Sequence, residues 1–188
     1  GIDTVLGVTT GDCSNTQMLL EVLKLRGVKV VTFAYPAIPQ PQLVQRQLEG
    51  LAMELGATIS EAERVAQELA PVRRLVWKLD ELTWKDGVVS GLENHLWQVS
   101  TSDFNGDYVK FQQQIAEFIG GCRQRQPYPD EMLRLGFIGV PPVFARDLYP
   151  FIERQGACVV FNEVQRQFSM PFPDCSLAEQ YSKYTYPY

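Results

Sequence analysis

The stretch Gly7-Val8-Thr9-Thr10-Gly11-Asp12-Cys13-Ser14-Asn15-Thr16 decides how this chain folds. The apolar run of residues 5–10 is typical of a buried strand, and a tight turn built on glycine and aspartate ends it. Ser14 and Gln17 have the spacing of a capping box, which predicts a helix that begins at Ser14. We therefore expect Cys13 at the carboxyl end of a strand and beside the N-terminus of a helix.

This position has chemical consequences for the Cys13 thiol. The backbone N–H groups and the dipole of a helix stabilise an anion at its N-terminus. A thiol in that field ionises more readily, and the thiolate is both a nucleophile and a metal ligand. The alternative is a small, half-buried thiol at a turn, which is the commoner role of an isolated cysteine.

Residues 2–36 read as one βαβ unit. The first strand is followed by an apolar helix over residues 16–26, Gly27 as its stop, and a β-branched strand over residues 28–33. A right-handed crossover makes the two strands parallel and adjacent, so Tyr35 should share the carboxyl edge with Cys13. That edge is where open α/β sheets bind ligands. A sheet of only two strands is not stable by itself, so we expect further strands from later in the chain or from upstream residues.

Residues 37–120 read as a helical segment, and residues 121–131, which are polar and contain proline, read as a linker. One helix is expected over residues 43–55. A longer segment keeps its apolar stripe in phase through Pro71, which predicts either a kinked helix or two nearly collinear ones. Capping boxes are expected at three further helix starts: Ser60 with Glu63, Ser90 with Glu93, and Ser176 with Glu179.

Residues 132–188 begin a second α/β domain whose layout repeats that of residues 1–36. A strand over residues 133–140 precedes a helix over residues 147–155, Gly156 and a strand over residues 157–161. The predicted fold class is therefore α/β, with two Rossmann-like parallel units joined by a helical segment. We expect a cleft between them, lined by polar side chains that follow the strands: Asp12, Ser14, Asn15 and Tyr35 from the first unit, and Asn162, Glu163, Gln165 and Arg166 from the second.

Composition excludes several classes of function. The chain has 188 residues, a net charge of -5 and a pI of about 5.0, so a nucleic-acid partner is not expected. It has no apolar run long enough to cross a bilayer. Its cysteines, Cys13, Cys122, Cys158 and Cys175, show no CxxC spacing, which favours reduced thiols and a cytoplasmic location.

Several polar residues invite a chemical interpretation, and each also has a structural one. His95 is the single histidine; its apolar neighbours on a helix favour a hydrogen-bonded packing role over a functional one. Asp103 and Asp107, like Asp12, fit turns or helix caps better than catalysis. Arg125 is expected to be a solvated linker residue. Neither GxGxxG nor a Walker A pattern is present.

Four stretches also carry a family resemblance. They are Thr9-Thr10-Gly11-Asp12-Cys13-Ser14-Asn15-Thr16; Ser90-Gly91-Leu92-Glu93-Asn94-His95-Leu96-Trp97-Gln98 with Phe104-Asn105-Gly106-Asp107; Gly136-Phe137-Ile138-Gly139-Val140-Pro141-Pro142; and Asn162-Glu163-Val164-Gln165-Arg166-Gln167-Phe168-Ser169-Met170-Pro171 with the tyrosine-rich residues 181–188. In this order they resemble the central part of the D-component family of 2-hydroxyglutaryl-CoA dehydratase. Subunits of benzoyl-CoA reductase and the double-cubane-cluster proteins belong to the same family.

This resemblance implies two Rossmann-like domains with an oxygen-sensitive iron–sulfur cluster, such as a [4Fe–4S] cluster, between them. It also implies a second dehydratase subunit and an ATP-dependent activator protein that supplies single electrons. The dehydratase members are lyases of anaerobic metabolism, which eliminate water from a 2-hydroxyacyl-CoA through a ketyl radical.

Carried over residue by residue, Cys13 resembles one of the cluster thiolates of the family. The stretch 162–168, where other members place a further ligand, holds Gln165 and Arg166 but no cysteine. The remaining ligands are expected outside residues 1–188, so we expect a fragment that holds no complete cluster and is inactive alone. The alternative is a non-catalytic α/β binding or interaction module on the same scaffold.

Overall fold

The structure is a computed structural model that describes residues 1–11, 13–142, 147–172 and 174–184. The chain divides into two compact units. Unit 1 holds the described residues of Gly1–Glu68 and Asp174–Tyr188, and unit 2 holds those of Leu69–Pro173. In chain order the elements are β1 (Thr4–Thr10), α1 (Ser14–Leu25), β2 (Lys29–Ala34), α2 (Pro41–Glu54), α3 (Ile59–Trp84), α4 (Gly91–Val99), α5 (Tyr108–Cys122), β3 (Leu133–Phe137), α6 (Leu148–Arg154), β4 (Ala157–Asn162), α7 (Glu163–Phe168) and α8 (Leu177–Ser182), with short 3₁₀ turns at Ser100–Ser102 and Phe104–Gly106.

Unit 1 contains the predicted βαβ unit. Strands β1 and β2 are parallel and adjacent, which confirms the predicted pairing. Helix α1 packs closely on β1 because Gly7 has no side chain: a Cβ there would lie 2.5 Å from a methyl group of Leu20. The apolar core joins β2, α2 and α8 through Phe33, Val44 and Ala178.

Unit 2 has its own parallel pair, β3 and β4, and a separate helical core. That core is formed by the apolar stripes of α3 and α5, in which residues such as Leu79, Phe111 and Ile115 are at most 1% exposed. The fold class is therefore α/β, as predicted. Each sheet has two strands among the described residues, and no later strand within them joins the first sheet. The described helices include none long and apolar enough to cross a membrane.

Some of the predicted helix starts agree with the structure, and others do not. The capping boxes at Ser90 and Ser176 and the continuation of α3 through Pro71 are confirmed. The box expected at Ser60 is wrong. Thr58 and Glu61 form it two residues earlier, where the Glu61 carboxylate accepts a hydrogen bond of 2.8 Å from the backbone N–H of Thr58. Both pairs have the same spacing, so the pattern alone cannot choose between them.

The start of α1 also needs a correction. The helix begins at Ser14 as predicted, but its N-cap is Cys13, whose side chain makes no capping hydrogen bond. Cys13 has an extended backbone, with φ of -74° and ψ of 158°, as an N-cap residue requires. Ser14 therefore lies inside the first turn rather than before it.

The limits of the predicted linker and of the strand after it also differ from the structure. Helix α5 continues to Cys122. This residue is fully buried, and its thiol completes the apolar stripe that packs on α3. Strand β3 ends at Phe137 rather than at residue 140, because Gly139, with φ of +109°, turns the chain away. The domain boundaries expected for the whole protein stay a prediction.

Candidate functional site

Cys13 lies at the carboxyl edge of the sheet of unit 1, where β1 ends and α1 begins. Its side chain is exposed, and its sulfur lies 3.7 Å from the hydroxyl oxygen of Thr16. The backbone N–H of Thr16 donates to the carbonyl of Cys13 at 3.1 Å. Ser14 and Asn15 are exposed in the same turn. The first turn of α1 carries no acidic side chain, so the helix dipole at this end can stabilise a thiolate.

Tyr35 follows β2 at the same edge of the sheet. Its backbone N–H donates to the carbonyl of Thr10 at 3.0 Å, and its ring lies against Gly11. A Cβ at Gly11 would lie 2.9 Å from the Tyr35 ring, and the φ of +96° at Gly11 is also unfavourable for other residues. The bend at Gly11 therefore depends on this glycine. Asp12, another predicted site residue, lies outside the described residues.

The described part of the tyrosine-rich tail packs at this edge. The ring of Tyr181 stacks on that of Tyr35, with centroids 6.2 Å apart, and meets the ring of Phe33 at 6.4 Å. Tyr184 packs against Tyr181 at 5.0 Å. Aromatic side chains thus pack together beside the end of β2 in unit 1.

The four cysteines have different environments. Cys122 and Cys158 are buried, and burial raises the pKa of both thiols. Cys175 is half-buried and accepts a hydrogen bond of 2.9 Å from the ammonium group of Lys183. The exposed Cys13 has the chemistry of a cluster ligand. Among the described residues no three Cys, His, Asp or Glu side chains are grouped to hold a metal ion.

The predicted site residues of unit 2 belong largely to a buried polar network. Asn162 and Gln165 are both 0% exposed. The Asn162 amide donates to the carbonyl of Gly91 at 3.1 Å and to the side-chain oxygen of Asn94 at 2.9 Å. Its own oxygen accepts a hydrogen bond of 2.7 Å from the hydroxyl of Tyr149. The strand end of β4 is thus fixed to α4 and α6 by polar groups.

His95 lies at one end of this network. It is 8% exposed, and its Nδ1 lies 3.0 Å from the Tyr149 hydroxyl and 3.2 Å from the amide nitrogen of Gln165. The Tyr149 hydroxyl donates to Asn162, so a hydrogen bond between His95 and Tyr149 needs a proton on Nδ1, whereas one from the Gln165 amide needs Nδ1 without a proton. The tautomer of His95 therefore decides which of the two hydrogen bonds forms. Burial lowers the pKa of His95, because it disfavours the charged ring. Its participation in chemistry stays a prediction.

Asp80 lies at the other end of the network and was missed by the sequence analysis. One carboxylate oxygen accepts hydrogen bonds of 2.9 Å from the amides of Asn94 and Gln98. The other pairs with the guanidinium of Arg166 at 2.9 Å. Burial raises the pKa of Asp80, and the opposing effect of Arg166 does not outweigh it. Arg166 thus neutralises a buried carboxylate and also lies over the ring of Phe161.

A periodic signal could have revealed the network. Gly91, Asn94 and Gln98 are three and four residues apart and share one face of α4, while Asp80 and Thr83 have the same spacing on α3. When two helices each carry a face of small or polar residues, the pattern indicates that the helices pack together through hydrogen bonds between these faces. The sequence analysis read the apolar stripe of α3 but not this polar one.

Glu163 and Arg125 complete the description of the predicted polar residues. The Glu163 carboxylate accepts a hydrogen bond of 3.2 Å from the N–H of Gly139. Arg125 is exposed and lies beyond the end of α5, as expected of a solvated linker residue, but it also has a structural contact that the sequence did not indicate. Its guanidinium binds both carboxylate oxygens of Glu93, at 2.9 and 3.0 Å, and lies 5.1 Å from the ring centroid of Phe118. Burial opposes ionisation of Glu93, but hydrogen bonds from Arg125 and Ser90 leave its pKa below its usual value.

The two parallel α/β units, with an exposed thiol at one strand–helix junction, define an α/β protein of the Rossmann-like class. The model of the family described as 2-hydroxyglutaryl-CoA dehydratase, D-component, matches residues 1–187. The chain therefore belongs to the 2-hydroxyglutaryl-CoA dehydratase D-component family. No curated protein matches this chain.

Proposed function

We propose that this chain is part of an iron–sulfur 2-hydroxyacyl-CoA dehydratase or a related CoA-ester reductase. Its membership of the D-component family supports this proposal. The reaction removes water from a 2-hydroxyacyl-CoA by a radical mechanism, after one-electron activation driven by ATP. The partners are a second dehydratase subunit and an ATP-dependent activator protein, and the location is the cytoplasm.

The single observation that carries the proposal is the position of Cys13. Its thiol is exposed at the N-cap of α1, with no acidic side chain in the first turn to oppose ionisation. A thiolate there can bind iron, and an iron–sulfur cluster supplies single electrons when it is bound. The contribution of this chain is to hold the thiolate at the strand edge, through the turn at Gly11 and the packing of Tyr35.

The environments of the other cysteines favour ligands from outside this chain. Cys122 and Cys158 belong to packed apolar regions, where metal binding would require the surrounding side chains to move. Cys175 is engaged by Lys183. We therefore propose that residues beyond 1–188 complete the cluster, and that the chain alone does not catalyse dehydration.

The candidate cleft residues have a supporting role in this proposal. Arg166 and Glu163 are partly exposed, whereas Asn162 and Gln165 hold the end of β4 rigidly in place. We propose that the two partly exposed side chains face the substrate-binding cleft, with the buried amides behind them.

The proposal is tested on the complete protein that carries this chain, loaded anaerobically with iron and sulfide. The assay contains the activator protein, ATP and a 2-hydroxyacyl-CoA, and mass spectrometry follows the loss of water from the thioester. We expect dehydration that depends on ATP and activator. A fully loaded protein without such turnover, on dehydratase and reductase substrates alike, would instead favour the non-catalytic binding module.

A further inference from the structure

Cys175 and Lys183 form a nucleophilic pair in unit 1 that the proposed cluster chemistry does not use. The Lys183 ammonium group donates a hydrogen bond of 2.9 Å to the Cys175 sulfur. Cys175 is half-buried, and Lys183 is exposed. The two residues lie just outside opposite ends of α8, so the lysine side chain reaches back along the helix to the thiol.

Helix α8 is well fixed for a segment of six residues. The Ser176 hydroxyl accepts a hydrogen bond from the backbone N–H of Glu179, and the Glu179 carboxylate accepts one from the backbone N–H of Ser176. The backbone N–H of Leu177 donates to the carboxylate of Glu63 at 2.9 Å, and Ala178 is buried in the core of unit 1. The backbone positions of Cys175 and Lys183 are therefore set by the fold.

We propose that Cys175 and Lys183 are an acyl-acceptor site, at which an acyl-CoA thioester acylates the Cys175 sulfur and the acyl group then moves to the Lys183 amine. The choice of acyl donor rests on the proposed function, in which acyl-CoA esters are the substrate class. The product is a lysine amide at a defined position on the protein.

The two steps balance without an oxidant or another co-reactant. In the first, the Cys175 thiolate attacks the thioester carbonyl, an S–C bond forms, and the CoA thiolate leaves. In the second, the neutral Lys183 amine attacks the new thioester, a C–N bond forms, and the Cys175 thiolate leaves. The amine gives its proton to solvent, and the thiol is restored for another cycle.

The contact geometry suits the second step. Reacting atoms about 3–3.5 Å apart are close to an attack geometry. Lys183 already contacts the Cys175 sulfur, and the carbonyl carbon of an acylated Cys175 would be bonded directly to that sulfur. The hydrogen bond to Cys175, more than the nearby Glu179 charge, raises the pKa of Lys183. Acylation of the sulfur weakens this hydrogen bond, so the lysine loses its proton more readily when the acyl group is in place.

The experiment incubates the full chain with acetyl-CoA and follows acetylation of each lysine by peptide mass spectrometry. Lys24, which is exposed in the last turn of α1, is the matched control lysine. We expect Lys183 to be acetylated about tenfold faster than Lys24 because the thiol supplies the acyl group locally. Cys175→Ser should lower the Lys183 rate to that of Lys24, and Lys183→Arg should leave a hydroxylamine-sensitive acetyl group on Cys175.

Equal acetylation of Lys183 in the wild type and in Cys175→Ser would overturn the proposal. So would a Lys183→Arg protein whose Cys175 carries no thioester. The assay contains no iron, activator or ATP. Its failure would therefore leave the dehydratase proposal standing, and failure of the dehydratase assay would leave this acyl transfer standing.

Discussion

Gly91 provides a sharp test of the packing in unit 2. It is the first residue of α4, and it packs against β4 and α6. A Cβ at Gly91 would lie 2.6 Å from the carbonyl oxygen of Val159, 2.8 Å from the Val159 Cβ and 2.9 Å from the Tyr149 ring. Because the closest of these atoms belongs to the backbone of a strand, a side-chain rotation cannot relieve the clash.

The change Gly91→Ala should therefore lower the free energy of unfolding of unit 2 by about 2–3 kcal/mol, the upper part of the range for overpacking. The matched control is Gly120→Ala in α5, where a Cβ meets nothing within 4 Å. This control should instead raise stability by about 0.5–1 kcal/mol, since alanine favours the helix.

Tryptophan fluorescence during urea unfolding measures both variants on the same unit. All three tryptophans, Trp77, Trp84 and Trp97, belong to unit 2, so the signal reports this unit alone. The reasoning would be refuted if Gly91→Ala proved as stable as the wild type, or if both alanine variants changed stability in the same direction.

Three further predictions use the same structure. Asn94→Ala should cost about 3 kcal/mol in the urea assay, because it removes a donor to buried Asp80 and leaves other buried groups without partners; a loss under 1 kcal/mol would contradict the network. The folded-state pKa of His95 is lowered, so the unfolded chain binds the proton more tightly and unit 2 should lose stability as the pH falls below 6.5. His95→Asn should flatten this part of the stability–pH profile, and an unchanged profile would assign the pH effect elsewhere. In alkylation at neutral pH, peptide mapping should show exposed Cys13 reacting well before buried Cys158; the reverse order would remove the physical basis for a thiolate at Cys13.

Local sequence patterns predicted the features that depend on neighbouring residues. The parallel pairing of β1 and β2 follows from a short crossover with Gly27 at its turn, and the capping box at Ser90 follows from two side chains three residues apart. Such features are determined by local geometry and hydrophobic periodicity. The capping-box rule could not choose between Thr58 and Ser60, because each of them has a glutamate three residues later in the sequence.

Features that depend on distant residues could not be predicted in the same way. The pairing of Asp80 with Arg166 joins residues that are 86 positions apart, so no local pattern specifies it. The same applies to the contact of Arg125 with Glu93, which gives an exposed linker residue a structural role as well. At the candidate site, the exposure of Cys13 agrees with the sequence reasoning, whereas the burial of Asn162 and Gln165 is known only from the structure.

The most direct test of the central claim is the iron and sulfide content of the complete protein after anaerobic loading, measured for Cys13→Ser and Cys175→Ser together with an electron paramagnetic resonance spectrum. Cys175 is the matched control because it lies in the same unit but is engaged by Lys183. The account predicts that Cys13→Ser loses the cluster or changes its spectrum, while Cys175→Ser keeps both the iron content and the spectrum of the wild type. A Cys13→Ser protein with the iron content and spectrum of the wild type would contradict the assignment of Cys13 as a cluster ligand.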